Sequence, residues 1–330
     1  IELRKLFPGS KYDITLLGNQ AWTSLAEALP YFDAVLPLNK SNFFSNPIYR
    51  FKMLKRIRDS GFNTAIQPTF SREFFYGDAI IRASGAKERI GSEGDFSNIS
   101  PWQKRISDRW YTRLIPAIKN PLMELERNAE FMRGLGIADF QANIPNLNFL
   151  AQNTPGTQLK PKSYFVLFIG ANLKNRQWPI ANFKELSSRI YSNIGMSGII
   201  CGGKEEKEIS EVFGDDVTVK NLVGMTSLSD LIAIITNARL VISNESCAVH
   251  IAAAVSTPSI CILGGGQYGR FMPYMLELDN RILPLVISKK VDCFNCNWRC
   301  VYKIKYGDSF PCIKNITVTE VWESVKKALN

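Results

Sequence analysis

Short apolar runs alternate with segments of helical period along the whole chain. In the first half, Tyr12–Leu17, Ala34–Leu38, Thr64–Gln67 and Arg89–Gly91 read as strands, and Pro47–Arg58, Glu73–Ala83 and Leu122–Leu135 read as helices. The stretch 140–163, FQANIPNLNFLAQNTPGTQLKPKS, loses periodicity and gathers Pro, Asn and Gln. It marks a linker at 151–163 between a domain over 1–150 and a second over 164–330. Beyond it the rhythm is regular. Strands Tyr164–Ile169, Gly198–Cys201, Val217–Val219, Leu240–Ser243 and Ser259–Leu263 interleave with helices Pro179–Ile190, Lys204–Val212, Ser227–Thr236 and Cys247–Val255. A last helix, Val318–Leu329, takes Thr317 or Thr319 as its cap. Alternation of this density predicts an α/β chain of two Rossmann-like, doubly wound domains facing a cleft.

The opening IELRKLFPGSKYDITLLG is an amphipathic segment that Pro8-Gly9 stops before the first strand. An α/β unit begins with a strand feeding such a helix, so a strand and its ligand-binding loop are expected ahead of Ile1.

Composition narrows the class. The 330 residues, 45% hydrophobic and 21% charged, suit a globular protein of two ordinary domains. No apolar run reaches the roughly 18–20 residues of a membrane span, and no leader is visible, which favours the cytoplasm. The net charge of +10 is spread evenly, with 20 basic and 15 acidic residues in 1–150 and the same in 151–330. Nucleic acid is therefore not an expected partner. Local surpluses at Arg50–Arg58 and Lys104–Lys119 read as solvated faces, or as attraction to an anionic acceptor or the inner membrane face.

Parallel sheets bind ligands at the carboxyl ends of their strands, against helix N-termini. Four loops of the second half fall there. GANLKNRQWP (170–179) offers Lys174 and Arg176 to a diphosphate. CGGKEEKE (201–208) places Glu206 either to accept two ribose hydroxyls or to act as a first-turn acid. SNESCAVHIAAA (243–254) puts Ser246 and His250, the single histidine, four apart on one helical face. No G-x-S-x-G elbow supports a hydrolase, so His250 reads as a structural histidine or a phosphate contact. ILGGGQYGR (262–270) spells G-x-G-x-x-G, but Pro273 follows four residues after Gly269 and no helical period is sustained. The dinucleotide fingerprint fails, and Gly264, Gly265 and Gly266 instead suit close approach of a phosphate to backbone.

Cys201, Cys247 and Cys261 lie beside apolar strands and read as small hydrophobes. Cys293, Cys296, Cys300 and Cys312 form C-x2-C-x3-C-x11-C, which suits a structural Zn or Fe held by four thiolates. Reduced thiols and disulfides remain the other readings.

These loops resemble bacterial glycosyltransferase family 9, the ADP-heptose:lipopolysaccharide heptosyltransferase family. The resemblance rests on RQWPIANFKELSSRI against the family's K-x-W-P segment, on GGKEE, and on LVGMTSLSDLIAIITNARLVISNESCAVHIAAAVSTPSICILG. GRFMPY, LRKLFPGSKYDITLLG, ERIG and PCIKNITVTEVWESV extend it over nearly the whole chain. It implies the GT-B fold, with nucleotide sugar on the C-terminal domain and acceptor on the N-terminal one. It also implies an inverting transfer that requires no catalytic cofactor. By matching position Arg176 replaces the diphosphate-binding Lys, Glu206 the ribose-binding Glu, and His250 the family His. Thr226 lies in the segment lining the base pocket. Glu245-Ser246-Cys247 stands where the family has Asp-Thr-Gly, so the donor need not be ADP-heptose. The family's catalytic Asp belongs to the loop after the first strand, and no residue here is assigned as the base. The implied reaction moves heptose from ADP-heptose or a related donor to an anionic glycan or glycolipid such as lipopolysaccharide core. A GT-B-type nucleotide-sugar epimerase and a non-catalytic binding or scaffold protein are the alternatives.

Overall fold

The computed structural model describes residues 2–151, 160–276, 281–305 and 307–330. Contacts divide the chain into two compact units, Ile1–Ala142 and Asn143–Asn330. Most of the expected linker, 152–159, lies outside the described residues.

In the first unit, β1 (Thr15–Asn19) pairs in parallel with β2 (Ala34–Leu38). A second parallel sheet joins β3 (Thr64–Gln67), β4 (Glu88–Ser92) and β5 (Arg113–Ile115). Helix Pro47–Asp59 is started by Asn46, whose side chain accepts from the Tyr49 N–H, and by Pro47 at its first position. Its Met53 and Ile57 pack with Leu38 and Phe43.

The segment expected as one helix over Glu73–Ala83 opens as a π turn, Phe74–Asp78, and becomes α-helical only over Ala79–Ser84. The wide turn lays Gly77 on the Gln67 amide, where a Cβ would lie 1.9 Å from its nitrogen. It also brings Asp78 to the Tyr111 hydroxyl, which donates to it at 2.6 Å. Arg72 completes this cluster at 1% exposure, ion-paired with Asp108 and Asp78 and 4.8 Å above the Tyr111 ring.

The second unit is built on six parallel strands. These are β6 (Tyr164–Phe168), β7 (Ser197–Cys201), β8 (Val219–Asn221), β9 (Leu240–Asn244), β10 (Ser259–Ile262) and β11 (Leu285–Ile287). Their spatial order is β8-β7-β6-β9-β10-β11. The chain winds outward from β6 to β8, then returns to the other side of β6 at β9. That reversal is the topological switch point, where the loops leaving two neighbouring strands diverge and open a crevice.

Helices Ile180–Ile194 and Val318–Leu329 cover the sheet with Phe183, Leu186, Ile190, Val321, Trp322 and Val325. Thr317 is the cap of the last helix, closing a capping box with Glu320. The helix expected over Lys204–Val212 breaks into a 3-10 turn Lys204–Glu206, an α turn Lys207–Ser210 and a 3-10 turn Glu211–Phe213. Glu206 folding back onto the Gly203 N–H tightens its first turn. Among the described residues no helix is long and apolar enough to cross a membrane.

Candidate functional site

The switch point brings the loop after β6 against the loop after β9, and a wholly buried Asn244 staples them together. Its Nδ2 donates to the Ile169 carbonyl at 2.8 Å, and its Oδ1 accepts from the Trp178 N–H at 2.8 Å. The Trp178 indole is fixed in turn by a 2.8 Å bond from Nε1 to the Ile316 carbonyl.

On this frame Arg176, in the 3-10 turn Lys174–Arg176, donates from Nη2 to Glu245 Oε2 at 2.9 Å. Its guanidinium lies 4.0 Å above the Trp298 ring. The two side chains are 13% and 7% exposed. Arg176 Nε and Glu245 Oε1 are buried without a hydrogen-bond partner. An unmade bond of this kind costs about 1–3 kcal/mol, so the pair is an incomplete network at the ligand end of the sheet. Burial pushes the Glu245 carboxyl up, and the adjacent Arg176 only partly offsets it. Lys174 shares the turn but is exposed.

Glu206 is buried beside the same loop. Its Oε2 accepts from the Gly203 N–H at 2.8 Å and its Oε1 from Gln177 Nε2 at 3.0 Å. Burial raises its carboxyl against the pull of the Gly203 N–H. The first-turn role read from sequence is therefore present, and Gln177 ties that carboxylate to the neighbour of Arg176. Thr226, half-buried just ahead of helix Leu228–Asn237, is joined to the Arg176 group by no hydrogen bond among the described residues.

Ser246 is the N-cap of helix Cys247–Ala254. Its hydroxyl accepts from the Ala248 N–H at 3.3 Å and lies 2.8 Å from Ser243 Oγ. That hydroxyl is engaged in holding the helix end rather than left free for a ligand. Cys201 and Cys261 are buried, but Cys247 is exposed at the first helical position, which corrects its reading as a packed hydrophobe. The helix start turns it away from the apolar strands that flank it in sequence. His250 is bonded through Nδ1 to the Tyr274 hydroxyl at 2.7 Å, leaving Nε2 as its other polar atom. Burial lowers its pKa below 6.5, so at neutral pH it is an uncharged imidazole rather than a cation.

The glycines after β10 have a packing reason that the sequence did not suggest. All three are buried, and none has a positive φ. A Cβ would lie 2.8 Å from the Trp298 ring at Gly264, 2.4 Å from Phe294 at Gly265, and 2.4 Å from Trp298 at Gly266. Their bare faces admit these two aromatics. Asn295 and Asn297 N–H groups donate to the Gly265 and Gly266 carbonyls at 2.7 Å each, holding the cysteine segment on the loop.

Cys293, Cys296, Cys300 and Cys312 line one small pocket behind that loop with Phe294, Trp298 and Phe310. All four are free thiols, and burial raises Cys296, Cys300 and Cys312 above the usual thiol range. Among the described residues no group of three or more His, Cys, Asp or Glu is placed to hold a metal ion. The structure thus gives the expected Zn or Fe site no ligand geometry among the described residues. The short spacings fold the chain back on itself, with Asn295, Asn297 and Trp298 at φ of 64°, 49° and 62°, and converge the thiols without ligand geometry.

Residues 50–294 match the family model of glycosyltransferase family 9 (heptosyltransferase). The chain belongs to glycosyltransferase family 9. It is a glycosyltransferase by family, which sets aside the epimerase and scaffold readings. Among solved structures it is similar to E. coli ADP-heptose lps heptosyltransferase II, at 17% identity and TM-score 0.66, over 99% of this chain and 92% of that one. The glycosyl transferase family 9 protein of Veillonella parvula gives 16% identity and TM-score 0.68 over 99% and 90%. E. coli heptosyltransferase WaaC, solved with ADP, gives 15% and 0.68 over 99% and 93%. At these identities the likeness establishes the two Rossmann-like domains of the GT-B fold. No curated protein sequence matches the chain.

In this family 9 enzyme the geometry adds three residues that sequence reasoning missed: Asn244, Gln177 and Trp298. Asn244 stood in the quoted SNES run as a polar residue ending an apolar strand, which was its one available signal. Nothing one-dimensional links Trp298 to Arg176.

Proposed function

We propose that this enzyme transfers a sugar, heptose in the first instance, from a nucleoside-diphosphate donor such as ADP-heptose to an envelope glycan or glycolipid. Lipopolysaccharide core is the model acceptor, and the inner face of the cytoplasmic membrane the place of work. The observation that carries this reading is the Arg176–Glu245 pair at the switch point, with Arg176 Nε lacking a partner. A diphosphate oxygen would supply the missing acceptor, while Glu245 and the Trp298 ring hold the guanidinium in place.

In the reaction, the acceptor hydroxyl oxygen bonds to the anomeric carbon from the face opposite the leaving group. The bond from that carbon to the diphosphate oxygen breaks, and its electron pair leaves with the nucleoside diphosphate. The hydroxyl proton passes to a base that no residue of this chain is assigned to be. Negative charge grows on the diphosphate, so Arg176, Lys174 and the N-terminal end of helix Cys247–Ala254 act there. Neutral His250 contributes a ring nitrogen, Glu206 faces the ribose, and Thr226 borders the base. Gly264, Gly265 and Gly266 form a wall propped by the cysteine segment, and no step runs through a metal. The first unit carries the acceptor.

Thermal protection by ADP-, GDP-, UDP- and CDP-sugars tests the donor class. Protection by ADP-heptose that Arg176→Ala abolishes supports the assignment. Equal protection of that variant overturns it.

A further inference from the structure

Helix Pro47–Asp59 buries Met53 and Ile57 and turns the opposite stripe outward. That stripe holds Ile48, Phe51, Lys52, Lys55 and Arg56, all exposed. A solvated face would be polar, yet Ile48 and Phe51 are 66% and 67% exposed. The helix's one acid, Asp59, is already paired with Lys55 at 2.5 Å. Helix Pro101–Ser107 repeats the composition on its own outer side, with Trp102 60% exposed beside exposed Arg105 and Ile106. Ring contacts set helix Lys40–Ser45, which precedes Pro47–Asp59, and helix Pro101–Ser107 beside the same π turn. Phe44, at the end of the preceding helix Lys40–Ser45, meets Tyr76 at 5.8 Å, and Phe74 meets Trp102 at 5.9 Å. Exposed Phe75 lies between those two residues of the turn.

Single exposed apolar residues are ordinary, but two helices of one unit that each pair aromatic and branched aliphatic side chains with cations are not. Aliphatic Ile48 and Ile106 offer nothing for a nucleobase to stack on, and lysines are depleted from protein–protein interface cores. Large apolar side chains flanked by Lys and Arg are what an amphipathic helix needs to lie in the headgroup region of an anionic bilayer. We infer that the outer stripes of helices Pro47–Asp59 and Pro101–Ser107 dock this enzyme on an anionic lipid surface. Phe51, Ile48 and Trp102 enter the leaflet while Lys52, Arg56 and Arg105 meet its phosphates. The inference rests on the proposed envelope acceptor, which a docked enzyme would meet at the same surface.

The test is co-sedimentation of the full chain with vesicles of phosphatidylcholine, alone or mixed with phosphatidylglycerol, without donor. The wild type should partition onto the mixed vesicles, less so at high salt. Ile48→Ser with Phe51→Ser should abolish partition, and Lys52→Glu with Arg56→Glu should weaken it about tenfold or more. All these positions are exposed, so unfolding midpoints should not move. Should the serine variant unfold, the glutamate variant still decides. Equal partition onto both vesicle types, variants that bind like the wild type, or preferential capture of single-stranded RNA would each overturn the inference. Donor protection is read without vesicles, so failure of docking and failure of the donor assignment remain distinct.

Discussion

Each unit of the molecule holds a recessed arginine stacked on an aromatic ring and bridged to carboxylates, yet the two clusters do opposite work. Arg72 is sealed, with two acids, Asp78 and Asp108, facing it. Arg176 has one acid, Glu245, and sits at the ligand end of a doubly wound sheet. A guanidinium neutralised twice and closed off from water holds a fold together. One neutralised once, at the switch point of a doubly wound sheet, is the one proposed to keep attraction for an anion. Location and the count of counter-charges separate them, not residue type.

Removing each arginine should separate the roles most sharply. Arg72→Met leaves Asp78 buried without its cation and should cost about 3–5 kcal/mol in denaturant unfolding. Arg176→Ala should cost about 2.7–4 kcal/mol in kcat/KM with the correct donor, and should also destabilise the fold by leaving Glu245 buried without its cation. Adding Glu245→Gln should recover the stability and leave turnover low. A double variant that regained turnover would show that Arg176 serves the fold, as Arg72 does.

The stacked rings give a smaller contrast. Tyr111→Phe removes the donor to buried Asp78 and should cost about 1–3 kcal/mol of stability. Trp298→Phe keeps an aromatic face under Arg176 and should shift donor KM by under about 1 kcal/mol. Trp298→Ala should raise that KM further and also lower stability, because the ring fills the space left by Gly264 and Gly266.

The smallest effect is in pH dependence. Glu245 is held above its ordinary 4.5 in the folded chain, so the folded state binds a proton that the unfolded state has already lost. Its contribution is fully present below 4.5 and is lost as pH rises through the raised value. Glu245→Gln should flatten that part of a stability–pH curve. His250 runs the other way, since its lowered value makes stability fall as pH drops through it. As the single histidine, its ring resonances report this directly, with a midpoint below 6.5 expected.

The second unit was more legible in one dimension than the first, for a physical reason. Strands covered on both faces carry continuous apolar runs such as YFVLF and LVISN, and their helices bury residues at three- and four-residue steps. In the first unit, β5 is three residues long and begins at an exposed arginine, so no run marks it. The π turn has no periodicity of its own, and the approach of Gly77 to Gln67 that it makes is a contact across ten residues. At the site, Arg176 was readable from its charge and its place after a strand. The Glu245 partnership was not, because it spans 69 residues. The cysteine spacing correctly announced a tight convergence, but four close thiols and a metal site share that spacing.

The glycine run after β10 is constrained from behind. A methyl at position 266 meets the Trp298 ring at 2.4 Å whether or not any nucleotide is bound. Gly266→Ala alone is therefore a poor probe of phosphate approach. Across relatives, a larger residue at 266 should travel with a smaller one at 298, and so should a change in how the cation at 176 is held. The three positions form one heritable unit.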